Sequence, residues 1–279
     1  MILKLWLHVP CAFSPSGCNA RPLYSIVLLR VACRAVLRST YVSLISAIVL
    51  CGTPVAAQDN SRASEIAQCL PGEVVTWGDA QDRPALRPVL RLVYDHASAP
   101  AWFSEITVRL ALERAASAWS SCGVGVRVAA GQSTQSIQGA YSLAPPSGQD
   151  AALIAVRWSD VHSRGNFGLA NWTQQSLTLG PAAFALLQER NPAYDARETL
   201  QMVISHEMGH LMGLMSHSRR CVDVTSSYDN GKGEVCLMRD RSLLRTVPEY
   251  RASLPTACDI ARCRVANGLP PPQPPPSLR

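Results

Sequence analysis

The chain has 279 residues, 47% of them hydrophobic and 16% charged. That is enough for one large domain or two small ones around a sizeable core, and it excludes disorder throughout. The formal charge of +6 is uneven: residues 1–57 hold five of the 26 Lys and Arg and none of the 20 Asp and Glu, so the remainder carries 21 basic against 20 acidic side chains, and nucleic-acid binding loses its main support.

The first 57 residues read as an export segment. Arg30, Arg34 and Arg38 form a positive region, Tyr41 to Cys51 an apolar stretch, and Val55-Ala56-Ala57 a small-residue cleavage site before Gln58. The start can lie downstream of Met1. The apolar stretch falls short of the roughly 18 residues that cross a bilayer, so no stable membrane span is expected. Cys51 suggests a lipoprotein only weakly, because Leu50 stands where a small residue belongs. The expected location is secreted or periplasmic.

Residues 58–85 are polar, without clear period, and read as an N-terminal extension. Val89 to Tyr94 predicts a strand. Ser104 offers an N-cap for a helix with Val108, Leu112, Ala115, Ala116 and Trp119 on one stripe, stopped by Gly123. Val124, Val126 and Val128 alternate as a second strand. The stretch from Gly131 to Gln149 reads as a loop, and Ala152 to Trp158 as a buried strand. Gly168 to Trp172 predicts an edge strand, Leu177 to Leu179 another strand, and Pro181 opens a helix to about Arg190. Asp195 with Glu198 resembles a capping box for a further helix, on which Leu200, Val203, Ile204 and Met208 recur until Gly213. The order β-α-β-β-β-β-α predicts a single α+β domain on a mixed twisted sheet, with one helix early and one late. The tail, 267–279, is Pro-rich and reads as solvated polyproline II.

Beyond Gln58 six cysteines remain: Cys69, Cys122, Cys221, Cys236, Cys258 and Cys263. An even count in an exported chain reads as disulfides. Of the possible pairings, Cys221 with Cys236 would staple a short loop and Cys69 with Cys122 would tie down the mature N-terminus. Cys258 with Cys263 is the weakest pair, since residues five apart on a continuous helix point about 140° away from each other. Zinc binding by these thiols is disfavoured by the lack of a C-x-x-C pair.

The late helix carries His206-Glu207-Met208-Gly209-His210. Histidines four apart project about 40° apart in azimuth, so both rings can reach one metal ion. Glu207 stands beside His206, placed to take a proton from water without joining the coordination sphere. The three letters alone would arise by accident in roughly four of a thousand shuffled copies of this chain. Gly213 can turn the chain back so that His217 approaches the same metal, and three neutral histidines with an open position make a catalytic rather than a structural zinc site. Such a site hydrolyses peptide bonds, with Glu207 as general base.

His206-Glu207-Met208-Gly209-His210-Leu211-Met212-Gly213-Leu214-Met215-Ser216-His217 resembles the zinc helix of the metzincin metallopeptidases, most closely the matrixins, whose pattern is H-E-x-x-H-x-x-G-x-x-H. It departs once: Ser216 stands where the third ligand belongs, and His217 comes one residue late. The resemblance covers roughly residues 86–266. It implies a zincin-like catalytic domain, Zn2+ held by His206, His210 and His217, catalysis by Glu207, and a protein or peptide substrate. It also implies a methionine turn beneath the metal, with Met238 as candidate, and a substrate lying along Gly168 to Trp172. A monomer is expected.

Asn171-Trp172-Thr173 matches a glycosylation acceptor, which would clash with substrate on that edge. His96 and His162 read as surface or core histidines, and no pro-domain with a cysteine switch fits residues 58–85. Two alternatives compete. A gluzincin would take its third ligand from Glu234 or Glu249, against which Gly213 argues by ending the helix. An exported binding protein of the same fold would follow if the extra residue before His217 spoiled the metal geometry.

Overall fold

The computed structural model describes residues 54–129, 151–193, 195–241 and 249–272, with side chains from residue 61 onward. The export segment up to residue 53, the loop expected at Gly131 to Gln149 and most of the Pro-rich tail lie outside the described residues. A helix, α1 (Pro54–Ala67), crosses the expected cleavage site before Gln58 and enters the N-terminal extension, which has no clear period. Tertiary partners hold it instead: buried Glu65 accepts hydrogen bonds from the Tyr250 hydroxyl and the Arg239 amide, and Ile66 packs against a small cluster of Cys221, Val222, Cys236 and Tyr250.

The sheet contains β1 (Val89–Tyr94), β2 (Gly125–Val128), β3 (Ala151–Trp158), β4 (Gly168–Asn171) and β5 (Ser176–Leu179). Its order is β2-β1-β3-β5-β4. The first three pairings are parallel, while β4 lies antiparallel to β5 at the edge with Gly168 opposite Leu179. The fold is α+β on a mixed sheet, as the element order implies. β3 differs in one respect from the expected fully buried strand. Ala152, Ile154, Val156 and Trp158 are buried whereas the residues between them are half-buried, so its apolar run serves one face more than the other.

Two helices hold the core together. α2 (Glu105–Trp119) begins at Ser104, whose side chain accepts from the Thr107 amide, and it buries the predicted Val108, Leu112, Ala115, Ala116 and Trp119. After α3 (Asp160–Ser163) and α4 (Pro181–Arg190), the chain enters α5 (Ala196–Leu211), capped by Asp195. Every residue from Thr199 to Leu211 is buried, the mark of a helix enclosed by its own protein on all sides. α2 clamps it with side-chain bonds, Trp119 Nε1 donating to Ser205 O at 3.0 Å and Gln201 Nε2 to Ala111 O at 3.0 Å. β4 closes on its other flank. A Cβ on Gly168 would stand 2.6 Å from Val203 Cγ1 and 2.7 Å from Glu207 Cγ, so strand and helix touch at the motif itself.

A C-terminal helix, α6 (Ala257–Ala266), starts at a Thr256–Asp259 capping box and was not among the predicted elements. Its continuity settles one question of pairing. Because Cys258 and Cys263 sit on a regular helix, each reaches outward: the disulfides are Cys69–Cys258, Cys122–Cys263 and Cys221–Cys236. The last is the expected staple. The expected Cys69–Cys122 pair is replaced by two bridges that tie α6 to the N-terminal extension and to the end of α2.

Gly213 has φ +102°, and a Cβ there would lie 1.8 Å from the Arg83 carbonyl oxygen. Conformation and close approach both demand glycine. Replacing Gly213 by Ala is expected to cost about 3 kcal/mol in denaturant unfolding. At Gly231, also left-handed at φ +70° but facing open space, the same change should cost about 1 kcal/mol.

Candidate metal centre

α5 delivers His206 and His210 on consecutive turns, and the bend at Gly213 returns the chain so that His217 meets them. The three rings have centroids 4.8, 5.3 and 5.2 Å apart, and one nitrogen from each lies within 4.8 Å of the others. All three residues are buried, His206 completely. The group could hold a metal ion.

The tautomers follow from the partners. His206 Nδ1 lies 2.7 Å from Val224 O, His210 Nδ1 2.6 Å from Leu214 O, and His217 Nδ1 2.7 Å from Asp79 Oδ2. Carbonyl and carboxylate oxygens only accept, so each Nδ1 must donate, and in a neutral ring Nε2 then carries the lone pair. His206 Nε2 and His210 Nε2 stand 3.1 Å apart. Burial, followed by the neighbouring His210 and His217, holds His206 well below the usual histidine range; burial and then His217 push His210 down to about 3. Both rings are therefore neutral near pH 7, which is the form that ligates metal.

Each orienting oxygen is itself fixed. Val224 donates its amide to Asp259 Oδ2 at 2.9 Å, and Thr225 donates its hydroxyl to Asp259 Oδ1 at 2.6 Å, so α6 steadies the loop that aims His206. Leu214 follows the Gly213 bend and orients His210. Asp79 accepts from the His217 amide at 2.9 Å and the Ser216 hydroxyl at 2.7 Å as well as from the ring. Burial alone would raise the Asp79 carboxyl, but the His217 and Ser216 bonds outweigh it and hold it well below the carboxylate range.

Glu207 is 2% exposed, and its Oε2 accepts the Ala170 amide of β4 at 2.7 Å. Burial pushes its carboxyl up to about 7, with the Ala170 bond acting the other way. Ordinary packing of an unpaired acid on a core helix would be costly; here the edge strand provides a donor.

Other residues singled out by sequence fall elsewhere. Met238 is half-buried against the Cys221–Cys236–Tyr250 cluster, and the carbonyls bonded to His206 and His210 belong to Val224 and Leu214. Glu249 is engaged by Arg251 and the Tyr228 hydroxyl, and Glu234 by Asn230; neither belongs to the histidine group. His96 is bonded to the Tyr94 hydroxyl and His162 to the Ser159 hydroxyl. Asn171 ends β4 and accepts the Gln174 amide. Sequence reasoning missed Asp79, Val224, Asp259 and Ala170, all of which act through main-chain groups or from far along the chain. For Asp79 the one available signal was the extra residue before His217, which calls for an outside brace.

No protein-family model matches the chain, and no curated protein does. Among solved structures the chain is similar to the GM1-bound form of the ECX AB5 holotoxin, at 14% identity, 72% coverage of this chain and 92% of that one, with a TM-score of 0.35; a likeness of that size carries no argument.

Metal analysis of purified variants checks the grouping. His206→Ala, His210→Ala and His217→Ala are each expected to lose stoichiometric metal, whereas Glu234→Ala and Glu249→Ala retain it. Retention on His217→Ala would remove that ring from the set.

Proposed function

We propose that this chain is an exported, zinc-dependent metalloendopeptidase of metzincin, matrixin-like type. The observation that carries the reading is the convergence of three imidazoles, each bonded at Nδ1 to an accepting oxygen, beside a buried glutamate that is bonded to an edge strand. Two acceptor lone pairs at 3.1 Å repel unless a proton or a metal cation lies between them; burial disfavours the proton on either ring, and a set of imidazoles suits zinc. His206, His210 and His217 would hold the ion. When bound, zinc supplies Lewis-acid polarisation of a carbonyl and acidifies water.

The remaining work falls to the protein. Glu207 Oε2 is committed to the Ala170 amide, so we assign proton transfer to Oε1, which takes the proton of the attacking water and passes it to the departing amine. β4, the edge strand of the sheet, suits an extended peptide that adds a strand through main-chain hydrogen bonds, which favours protein or peptide substrates. Three disulfides are compatible with an oxidising, extracellular or periplasmic location. Among the described residues no helix is long and apolar enough to cross a membrane.

The alternative of a non-catalytic binding protein was conditional on the extra residue before His217 spoiling the geometry, and the position of that ring within the group supports the peptidase reading over it.

Glu207→Ala should reduce cleavage of an unstructured protein such as casein by about 10²- to 10⁴-fold while leaving bound zinc unchanged. Cleavage at the rate of the unaltered protein would remove Glu207 from the chemistry.

A further inference from the structure

The lengthened turn between Gly213 and His217 does not by itself dictate where the third ring points. A strap from the N-terminal extension, residues 69–84, supplies the constraint. Trp77 N donates to His217 O at 3.1 Å, Arg83 N to Gly213 O at 3.1 Å, and Arg219 N to Val75 O at 3.0 Å, while Thr76 bridges Ser218. The strap thus runs along the whole return of the chain. Asp82 accepts the Ser216 amide at 3.1 Å and both of its oxygens accept Arg262 of α6 at 2.6 Å. Arg262 also donates to Ser216 O. Cys69–Cys258 anchors the strap covalently to that same helix.

At the centre of this brace is Asp79. One carboxylate oxygen takes the His217 amide and the Ser216 hydroxyl, and the other takes His217 Nδ1–H. We propose that Asp79 is the positioning residue of the metal centre, fixing His217 in the Nδ1–H tautomer with Nε2 aimed at its two partners. The proposal rests on the reading of the three histidines as zinc ligands. It accounts for the odd spacing: the extra residue, Ser216, is absorbed because its amide, hydroxyl and carbonyl are all engaged by the strap and α6. His206 and His210 are oriented by main-chain carbonyls close to the helix or beneath it, so His217 alone depends on a side chain 138 residues away.

A merely structural Asp79 and a tautomer-setting Asp79 behave differently in the near-isosteric variant Asp79→Asn. The amide oxygen can still accept from the His217 amide and Ser216. The amide NH2, however, faces His217 Nδ1 and obliges that nitrogen to accept, which moves the ring proton to Nε2 and blocks ligation. Zinc affinity of the disulfide-bonded protein, measured by competition with a chromophoric chelator, should fall about 10- to 100-fold. Ser216→Ala removes one bond to the same carboxylate without touching the ring, and should weaken zinc less than Asp79→Asn does.

Nitrogen-15 NMR of the zinc-stripped, unaltered protein supplies a reading that needs no variant to fold: His217 should be protonated on Nδ1. Protonation on Nε2 there overturns the proposal. So does undiminished zinc affinity in Asp79→Asn, and that result leaves the three-histidine site standing. If the unaltered protein binds no zinc, the metal reading itself fails and the proposal falls with it.

Discussion

Three imidazoles held with their lone pairs toward a common point are the constraint on which the rest of this structure depends. A protein interior does not ordinarily gather three acceptors without a donor among them, and here one pair stands only 3.1 Å apart. The arrangement persists because each ring is tied at its far nitrogen to an oxygen that can only accept. Burial works in the same direction by disfavouring protonated rings. The site is thus held by geometry and low polarity together in a form that could hold a metal ion.

Holding such a group inside the molecule shapes the fold around it. α5 is enclosed on every side, clamped by Trp119 and Gln201 against α2 and by β4 against Glu207. α6 reaches the centre by two routes: Asp259 through Val224 to His206, and Arg262 through Asp82 and Ser216 to the turn before His217. The Cys69–Cys258 and Cys122–Cys263 bridges fasten this helix to the strap and to the end of α2. Most polar groups near the site are therefore partnered, which is what a buried network requires.

Much of this was legible in the residues. Apart from α3, strand and helix positions among the described residues from Val89 to Leu211 follow from local patterns: alternation in β1, the Ser104 cap and apolar stripe of α2, and the Asp195 start and Gly213 stop of α5. Such features are encoded by near neighbours, and so is the i, i+4 pair of histidines. What escaped depends on distant partners. α1 lies in a stretch read as polar and is held by Tyr250 and Arg239. The pairing of Cys69 with Cys258 spans 189 residues, and spacing alone could not choose it. Asp79 lies in a polar stretch with no period, and its role appears only once the strap is laid against Ser216 and His217. For Met238 the expectation came from family resemblance, and its side chain packs against the Cys221, Val222, Cys236 and Tyr250 cluster.

The account's central claim is that His206, His210 and His217 bind one zinc ion through their Nε2 atoms. The most direct measurement is an anomalous difference map, collected at the zinc edge from crystals of the zinc-loaded protein. The account predicts one strong peak within bonding distance, about 2.0–2.1 Å, of all three Nε2 atoms. A peak bonded to His206 and His210 but completed by another protein group, with His217 turned away, would contradict it.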